Sequence, residues 1–476
     1  MDKPQKPSRR RFIKLATATT LAAGASRNIF SSTTTLISPS QEPSKPVSPN
    51  DRIRIATIGM GGQGTSDTKA ALHRPGETAG AETTNPAVGE GVELVAVADL
   101  YEGRLIRAKE VFGKDLFTTR DYREILARPD VDAVLIVTPD HWHMKMAVDA
   151  MNAGKDVYLE KPMVQDLDEG KRVIETARKT NRILQVGSQR VSSIVYQKAK
   201  DLYNSGGVGE LNLVEAWWNR NSAIGAWQYT IPPDASPATV DWDRFLHDAP
   251  KVPFDPVRFF RWRNYRDYGT GVAGDLFVHL FSGMHFVLSS NGPTRVMSVG
   301  GLRHWRDGRD VPDVMLGVYE YPKTDTHPGF NLSLKVNFAD GGGGEEGFRF
   351  VGSAGMITIG RGGVTLTRKP LPKEPGLSIN TFPKAMQDAL QKEYRAKYPE
   401  SRVLGATMEE TYVAPQGYSD LVDHFKNFFE AVRTRKPVVE DAVFGFRAAG
   451  PALVTNLSYL KGRSFEWDPE AMRVKD

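Results

Sequence analysis

The chain has 476 residues, a formal net charge of +5 and no cysteine. The missing cysteine excludes disulfides, thiolate catalysis, iron–sulfur clusters and Cys-ligated zinc. A content of 40% hydrophobic and 25% charged residues is that of soluble globular protein and argues against a polytopic membrane protein, and the length accommodates two or three domains.

The basic excess lies at the start of the chain. Residues 1–25 hold Lys3, Lys6, Arg9, Arg10, Arg11 and Lys14 against Asp2 alone, which accounts for the whole net charge. The remainder is formally neutral, so composition gives no warrant for a nucleic-acid partner. The segment reads as an export signal. It has a basic start, an apolar stretch from Leu15 to Ala25 too short to span a bilayer, and Ala23-Gly24-Ala25 as a cleavage site. Ser8-Arg9-Arg10-Arg11-Phe12-Ile13-Lys14 resembles the twin-arginine signal, an address read by the export machinery. A disordered basic tail and a retained membrane anchor are the alternatives. The expected location is the periplasm or another exported compartment, with no stable span after processing. Residues 26–50, rich in Ser, Thr and Pro, read as a disordered linker.

A dinucleotide-binding domain is expected over 51–190. Arg52 to Ile58 reads as a buried strand. It ends in Gly59-Met60-Gly61-Gly62-Gln63-Gly64, in which Gly59 permits a tight turn, Gly61 a close approach to pyrophosphate, and Gly64 tight packing of the next helix. Val92 to Ala98 reads as the second strand. Asp99 at its end can accept hydrogen bonds from the adenosine ribose, although it stands farther along than the usual interval of about 20 residues. A Gly/Thr/Pro-rich insertion from Pro75 to Gly91 explains the excess. No Arg directly follows Asp99, which favours NAD over NADP; Arg104 leaves NADP open. Further strands are expected at Val131–Val137, Asp156–Leu159 and Ile183–Val186, alternating with helices at Met144–Ala153 and Leu167–Thr180. Such alternation argues a parallel, doubly wound sheet, with ligands beyond the carboxyl ends of its strands. That region would hold His141, His143, Lys161, Gln189 and Arg190. A second α/β domain is expected over 191–476, with strand-like runs at Leu211–Trp218, Arg295–Val299, Val314–Tyr321, Leu332–Phe338, Phe348–Val351 and Met356–Ile359.

Three further stretches carry a resemblance. They are Thr138-Pro139-Asp140-His141-Trp142-His143, the run Ala153 to Pro162 ending in Glu160-Lys161-Pro162, and Gly271-Val272-Ala273-Gly274-Asp275-Leu276-Phe277-Val278-His279. With the Gly59–Gly64 loop they make the sequence similar to the Gfo/Idh/MocA oxidoreductases over nearly all of 51–476. The resemblance implies a Rossmann domain followed by an α/β domain with a large, mostly antiparallel sheet, and a homo-oligomer. It implies cofactor contacts from the Gly59–Gly64 loop, Asp99, Thr138, Pro139, His143, Glu160, Lys161 and Pro162. It also matches Lys161, Asp275 and His279 to the family's catalytic Lys, Asp and His.

The residues themselves suit oxidation of a secondary alcohol. That chemistry needs a base for the hydroxyl proton and a donor for the developing alkoxide. Asp275 and His279 are spaced i, i+4 and would share one face of a helix. His279 suits proton transfer at neutral pH, Asp275 can orient it or bind substrate hydroxyls, and Lys161 can hold the alcohol oxygen. Arg258, Arg261 and Arg263 interleave with Phe259, Phe260, Trp262 and Tyr265, which reads as a substrate wall or as core aromatics with paired Arg. Arg190, Arg261, Arg263 and Tyr265 join Lys161, Asp275 and His279 as candidate substrate contacts. His141 and His143 lack an acidic partner at metal-ligand spacing, so no metal is expected. The leading expectation is an exported NAD(P)-dependent oxidoreductase acting on a sugar, polyol or glycoside hydroxyl with a tightly bound cofactor. Redox-neutral glycoside cleavage, elimination or epimerisation through a transient keto-sugar is the alternative, and a non-catalytic dinucleotide-dependent binding protein is a second.

Overall fold

The computed structural model describes residues 52–73, 88–360, 362–372, 375–398 and 407–475. The expected leader, the linker and most of the 75–91 insertion lie outside the described residues.

The first sheet has six parallel strands: β1 (Ile53–Ile58), β2 (Val92–Ala98), β3 (Phe117–Thr119), β4 (Ala133–Ile136), β5 (Asp156–Leu159) and β6 (Leu184–Val186). Their order is β3-β2-β1-β4-β5-β6. The four residues of β4 and the four of β5 are buried throughout, as strands covered by helices on both faces must be. The order in which strands are added switches sides between β1 and β4, and a crevice opens there at the strands' carboxyl ends. One cover of this sheet comes from the far end of the chain. In the helix Asp420–Thr434, Val422, Phe425, Phe428, Phe429 and Val432 form an apolar stripe that packs on Ile53, Ile55, Leu135 and Tyr158. The expected boundary after residue 190 therefore separates the two sheets but cuts through the first domain's packing.

The second sheet has ten strands: β7 (Leu211–Trp218), β8 (Arg295–Gly301), β9 (Val314–Tyr321), β10 (Phe330–Asn337), β11 (Glu346–Gly352), β12 (Met356–Gly360), β13 (Gly363–Arg368), β14 (Met408–Val413), β15 (Phe465–Asp468) and β16 (Arg473–Val474). The order is β14-β13-β12-β11-β7-β10-β9-β8-β15-β16. Only β7 and β10 pair in parallel among these neighbours. Burial alternates along β8, β9 and β10, the mark of a sheet with one covered face. That face packs on the helices Val278–Leu288 and Ala442–Lys461. β13 to β16 were not expected from the sequence, although β13 buries Val364 and Leu366 and β15 buries Phe465 and Trp467 in alternation.

Between β7 and the Val278 helix the chain returns to the first domain as a strap. Val240 bridges Tyr101, Glu102 N–H donates to Thr239 O at 2.9 Å, and Asp241 N–H donates to Leu100 O at 2.9 Å. Tyr101 Oη donates to Asp234 at 2.6 Å. Trp242, Phe245, Phe259, Phe260, Tyr265 and Tyr268 then build an aromatic core with Tyr101.

Candidate active site

The glycine loop leaves β1 and enters the helix Gly62–Ala71. Gly59 has φ +97°, and a Cβ there would lie 2.3 Å from Val137 O. A Cβ on Gly64 would lie 1.8 Å from Gly59 O. Both positions accept glycine alone because backbone crosses backbone. The two middle glycines differ. Nothing stands within 4 Å of a Cβ on Gly62, and only the Arg104 guanidinium does at Gly61. Both border a cavity of about 450 Å³, so the space a side chain would fill lies open beside a helix N-terminus. This is the fit expected for a dinucleotide pyrophosphate.

Asp99 is buried and braces this loop. Its Oδ2 accepts Met60 N–H at 2.7 Å and its Oδ1 accepts Tyr101 N–H at 2.9 Å. Arg104 lies 3.5 Å from the carboxylate and faces the rings of Phe259 and Phe260. Asp99 and Arg104 both border the cavity, so the guanidinium charge is partly met within the chain. Gln63 turns its amide back to Asp67 Oδ1, at 2.7 Å. The strap closes the cavity with Tyr229, Phe245, Phe259, Phe260 and Trp262.

Thr138, Pro139, Glu160 and Lys161 border the cavity from the ends of β4 and β5. His143 stands behind them. Its ring nitrogens lie 2.6 Å from Pro162 O and 3.0 Å from Thr138 O, so it ties the two loops together. Burial pushes its pKa down. His141 is likewise committed, 2.7 Å from Phe245 O, and holds the strap. The Lys161–Pro162 bond is cis.

At the far end of the cavity Lys161 Nζ donates to Asp275 Oδ1 at 3.0 Å and to Asp275 O at 2.9 Å. Arg263 Nε donates to the same Oδ1 at 3.1 Å. The Lys161 and Asp275 side chains are only 10% and 8% exposed, so the pair is buried and its charges are weakly screened. Burial pushes the Asp275 carboxyl up, but Lys161, Arg263 and Arg220 together hold it below the usual carboxylate range. Asp275 sits in a single π-helical turn, Ala273–Phe277, ahead of the α-helix Val278–Leu288 that carries His279. Its carboxylate takes donors from Lys161 and Arg263 rather than from His279. The His279 ring instead packs 4.9 Å from Trp218 and borders a separate small void with Arg190 and Glu346. Its Nδ1 is buried without a hydrogen-bond partner. Burial, then Lys161 and Arg190, push its pKa well below the ordinary value.

Of the other expected substrate contacts, Arg263 borders the cavity and the rest stand back from it. Arg190 donates to Glu346 at 2.9 Å and lies 3.6 Å from Asp420. Arg261 holds the strap through Tyr229 O at 2.8 Å. Tyr265 is buried under Arg258, 4.6 Å from its centroid. These are the core aromatics and paired Arg of the blander sequence reading. Sequence reasoning assigned no role to Asp67, Asp140, Arg220 or Arg120, the last of which borders the cavity. Asp140 was visible in the Thr138–His143 run; it accepts Thr270 N–H at 2.9 Å and Thr270 Oγ1 at 2.8 Å, fixing the approach to the π turn. The other three had no local signal.

Residues 53–188 match the family described as the Gfo/Idh/MocA oxidoreductase family, NAD-binding Rossmann fold. The chain is 31% identical over 187 residues to a glycosyl hydrolase family 109 protein of Shewanella baltica strain OS185. It is 30% identical over 187 residues to an alpha-N-acetylgalactosaminidase of Shewanella oneidensis strain MR-1. Each match covers 37% of this chain and 38% of the relative, so the chain matches well under half the length of these curated relatives. The fold is similar to levoglucosan dehydrogenase solved with NADH and levoglucosan, at TM-score 0.60 and 17% identity over 87% of this chain and 99% of that one. It is similar also to scyllo-inositol dehydrogenase from Lactobacillus casei solved with NAD(H) and scyllo-inositol, at TM-score 0.57 and 16% identity over the same shares. The glycine loop, the open crevice and the Asp99 brace lie within the matched residues, so residues 53–188 form an NAD-binding Rossmann domain of the Gfo/Idh/MocA oxidoreductase type.

Proposed function

We propose that the protein oxidises a hydroxyl group of a carbohydrate with a nicotinamide dinucleotide that stays in the cleft. One observation carries this reading: the Lys161 ammonium, gripped by Asp275, reaches the wall of the same cavity that begins at Gly59–Gly64. Bound there, the dinucleotide supplies hydride transfer. Lys161 would hold and polarise the substrate oxygen, Asp275 would fix Lys161, and Arg263 with Trp262 would face the sugar. His279 enters as acid/base only if its ring is reached from the cleft when substrate binds. The strap's backbone bonds to Leu100, Tyr101 and Glu102 enclose the adenosine end, which supports retention of the cofactor. A second reading, redox-neutral glycoside cleavage through a transient keto-sugar, is favoured by the names of the family 109 relatives and by the same enclosure.

Extraction of the native protein is expected to release nicotinamide dinucleotide. Incubation with a panel of sugars and glycosides, followed by nicotinamide absorbance and product mass, separates the readings. Lasting reduction with a keto product supports net oxidation. Cleaved glycoside without lasting reduction supports the second reading. Dinucleotide binding with no product from any member would leave a binding protein and overturn both.

We also propose export through the leader and association of identical chains. Fractionation of cells expressing the full chain tests the first, with retention in the cytoplasm as the contrary result. For the second, Met297 pairs with Val318 and Val299 with Leu316 on the outer face of the large sheet. These four apolar side chains are 47–58% exposed and contiguous, as an interface would be. Leu316→Lys with Val318→Lys is expected to convert the oligomer to monomer in light scattering at unchanged dinucleotide binding. A wild-type monomer would refute the proposal.

A further inference from the structure

Beneath Lys161 lies a group of buried acids that the hydride chemistry does not use. Asp67, on the helix that follows the glycine loop, is fully buried, and its Oδ2 has no hydrogen-bond partner. Its carboxyl faces that of Glu160 side chain to side chain. Glu160 is buried too, borders the cavity, and accepts Lys161 N–H at 3.3 Å. Gly187 shuts the far side: a Cβ there would lie 2.5 Å from Glu160 Oε1 and 3.0 Å from Tyr158 Oη. Tyr158 Oη is buried in the same region without a partner, and Glu440 is buried there beside Ser188.

Two carboxylates facing each other away from water cannot both remain ionised. Burial, reinforced for Asp67 by Glu160, pushes both pKa values up. Lys161 and Arg263 pull the Glu160 value down, and Asp275 pushes it up. Glu440 and Tyr158 face the same acids and have raised pKa values themselves, from burial first. The pair is thus set to keep one proton, and the raised Glu160 value favours uptake of a second.

We propose that Asp67 and Glu160 form a proton-storing acid pair linked to the charge of the bound cofactor. The inference rests on the proposed function. Glu160 shares the cleft wall with Lys161, so an oxidised, positively charged nicotinamide favours an ionised pair and a reduced, neutral one favours a doubly protonated pair. The oxidation then balances inside the cleft. The alcohol's C–H bond breaks, with its hydride going to the oxidised ring. Its O–H bond breaks, with the proton going to the singly protonated pair, and the carbon–oxygen double bond forms. The returning reduction takes both back. Asp67 acts through Glu160 and is a positioning residue.

The test is calorimetric titration of the stripped protein with NAD⁺ and with NADH, near neutral pH, in buffers of different ionisation enthalpy. The two titrations are expected to differ by roughly one proton per site. The difference should vanish in Asp67→Asn and in Glu160→Gln. The infrared band of a protonated carboxyl group should be stronger in the wild-type NADH complex than in the NAD⁺ complex, which locates the proton even if a variant fails to fold. Binding of both forms with equal proton counts overturns the proposal and leaves the proposed function standing. Unchanged proton counts in folded variants overturn it equally. Failure of either dinucleotide to bind removes the proposal and the proposed function together.

Discussion

Lys161→Met is expected to lower turnover on the best sugar by about 10³-fold while the dinucleotide still binds, within the range of 10²–10⁴ usual for a positioned proton-transfer group. Nζ is held at the cavity wall by two bonds to Asp275, at 3.0 and 2.9 Å. The hydrogen bond from Nζ to the substrate oxygen strengthens as alkoxide charge develops, so the loss falls on kcat more than on KM. Methionine keeps much of the apolar stem and removes the charge. The measurement is single-turnover absorbance of the bound nicotinamide after sugar is added. His279→Gln is the contrast. Its ring borders a different void, so a loss under about tenfold is expected if it acts only by packing on Trp218. Full turnover in Lys161→Met would refute the assignment; a larger loss in His279→Gln would show that the ring is reached from the cleft.

The parts of this site that were legible in the sequence are those dictated by local sterics. Gly59 and Gly64 stand where a Cβ would enter backbone, so their spacing announces the strand–loop–helix crossing. The β–α alternation placed Lys161 at a strand's carboxyl end, and the family resemblance marked it as the catalytic lysine of Glu160-Lys161-Pro162. What stayed hidden depends on contacts far apart in the chain. Nothing local in Phe425, Phe428 and Phe429 shows that they pack under β1 and β4, and nothing in Val240 shows that it pairs with Tyr101. The i, i+4 spacing of Asp275 and His279 was read on a regular helix, but the turn at Ala273–Phe277 is π-helical. The sequence offered Asp275 a histidine, and the fold gave it Lys161 and Arg263. Asp67 was invisible for a related reason: an acid on a helix reads as solvated until the opposite wall is known.

Asp275→Ala is expected to destabilise the protein by about 3–5 kcal/mol, the range for removing one member of a buried ion pair. The carboxylate is the shared acceptor for Lys161 and Arg263, and the Arg220 charge also stabilises it. Its loss leaves buried cations with too little negative charge; Asp140 also faces Arg263 but is itself held by Thr270. Over the folded residues this corresponds to a Tm lowered by roughly 5 °C. Lys161→Met with Asp275→Leu should recover part of it, because the cation most tightly bound to Asp275 goes too. The pH dependence separates this effect from others. The Asp275 pKa is depressed in the fold, so its contribution is present above the ordinary carboxylate value of about 4 and is lost only as pH falls below it. The Tm gap between wild type and Asp275→Asn should therefore stay constant from pH 8 to pH 5. Buried His141 and His424, pushed down to about 4 by burial, work in a different window. Their folded pKa values lie below the unfolded one, so the unfolded chain binds more protons and stability falls as pH drops below about 6.5. That loss is common to wild type and variant and cancels in the gap. A gap that closed between pH 7 and pH 5 would mean that Asp275 is not held ionised by its cations, and the Lys161 assignment would fall with it.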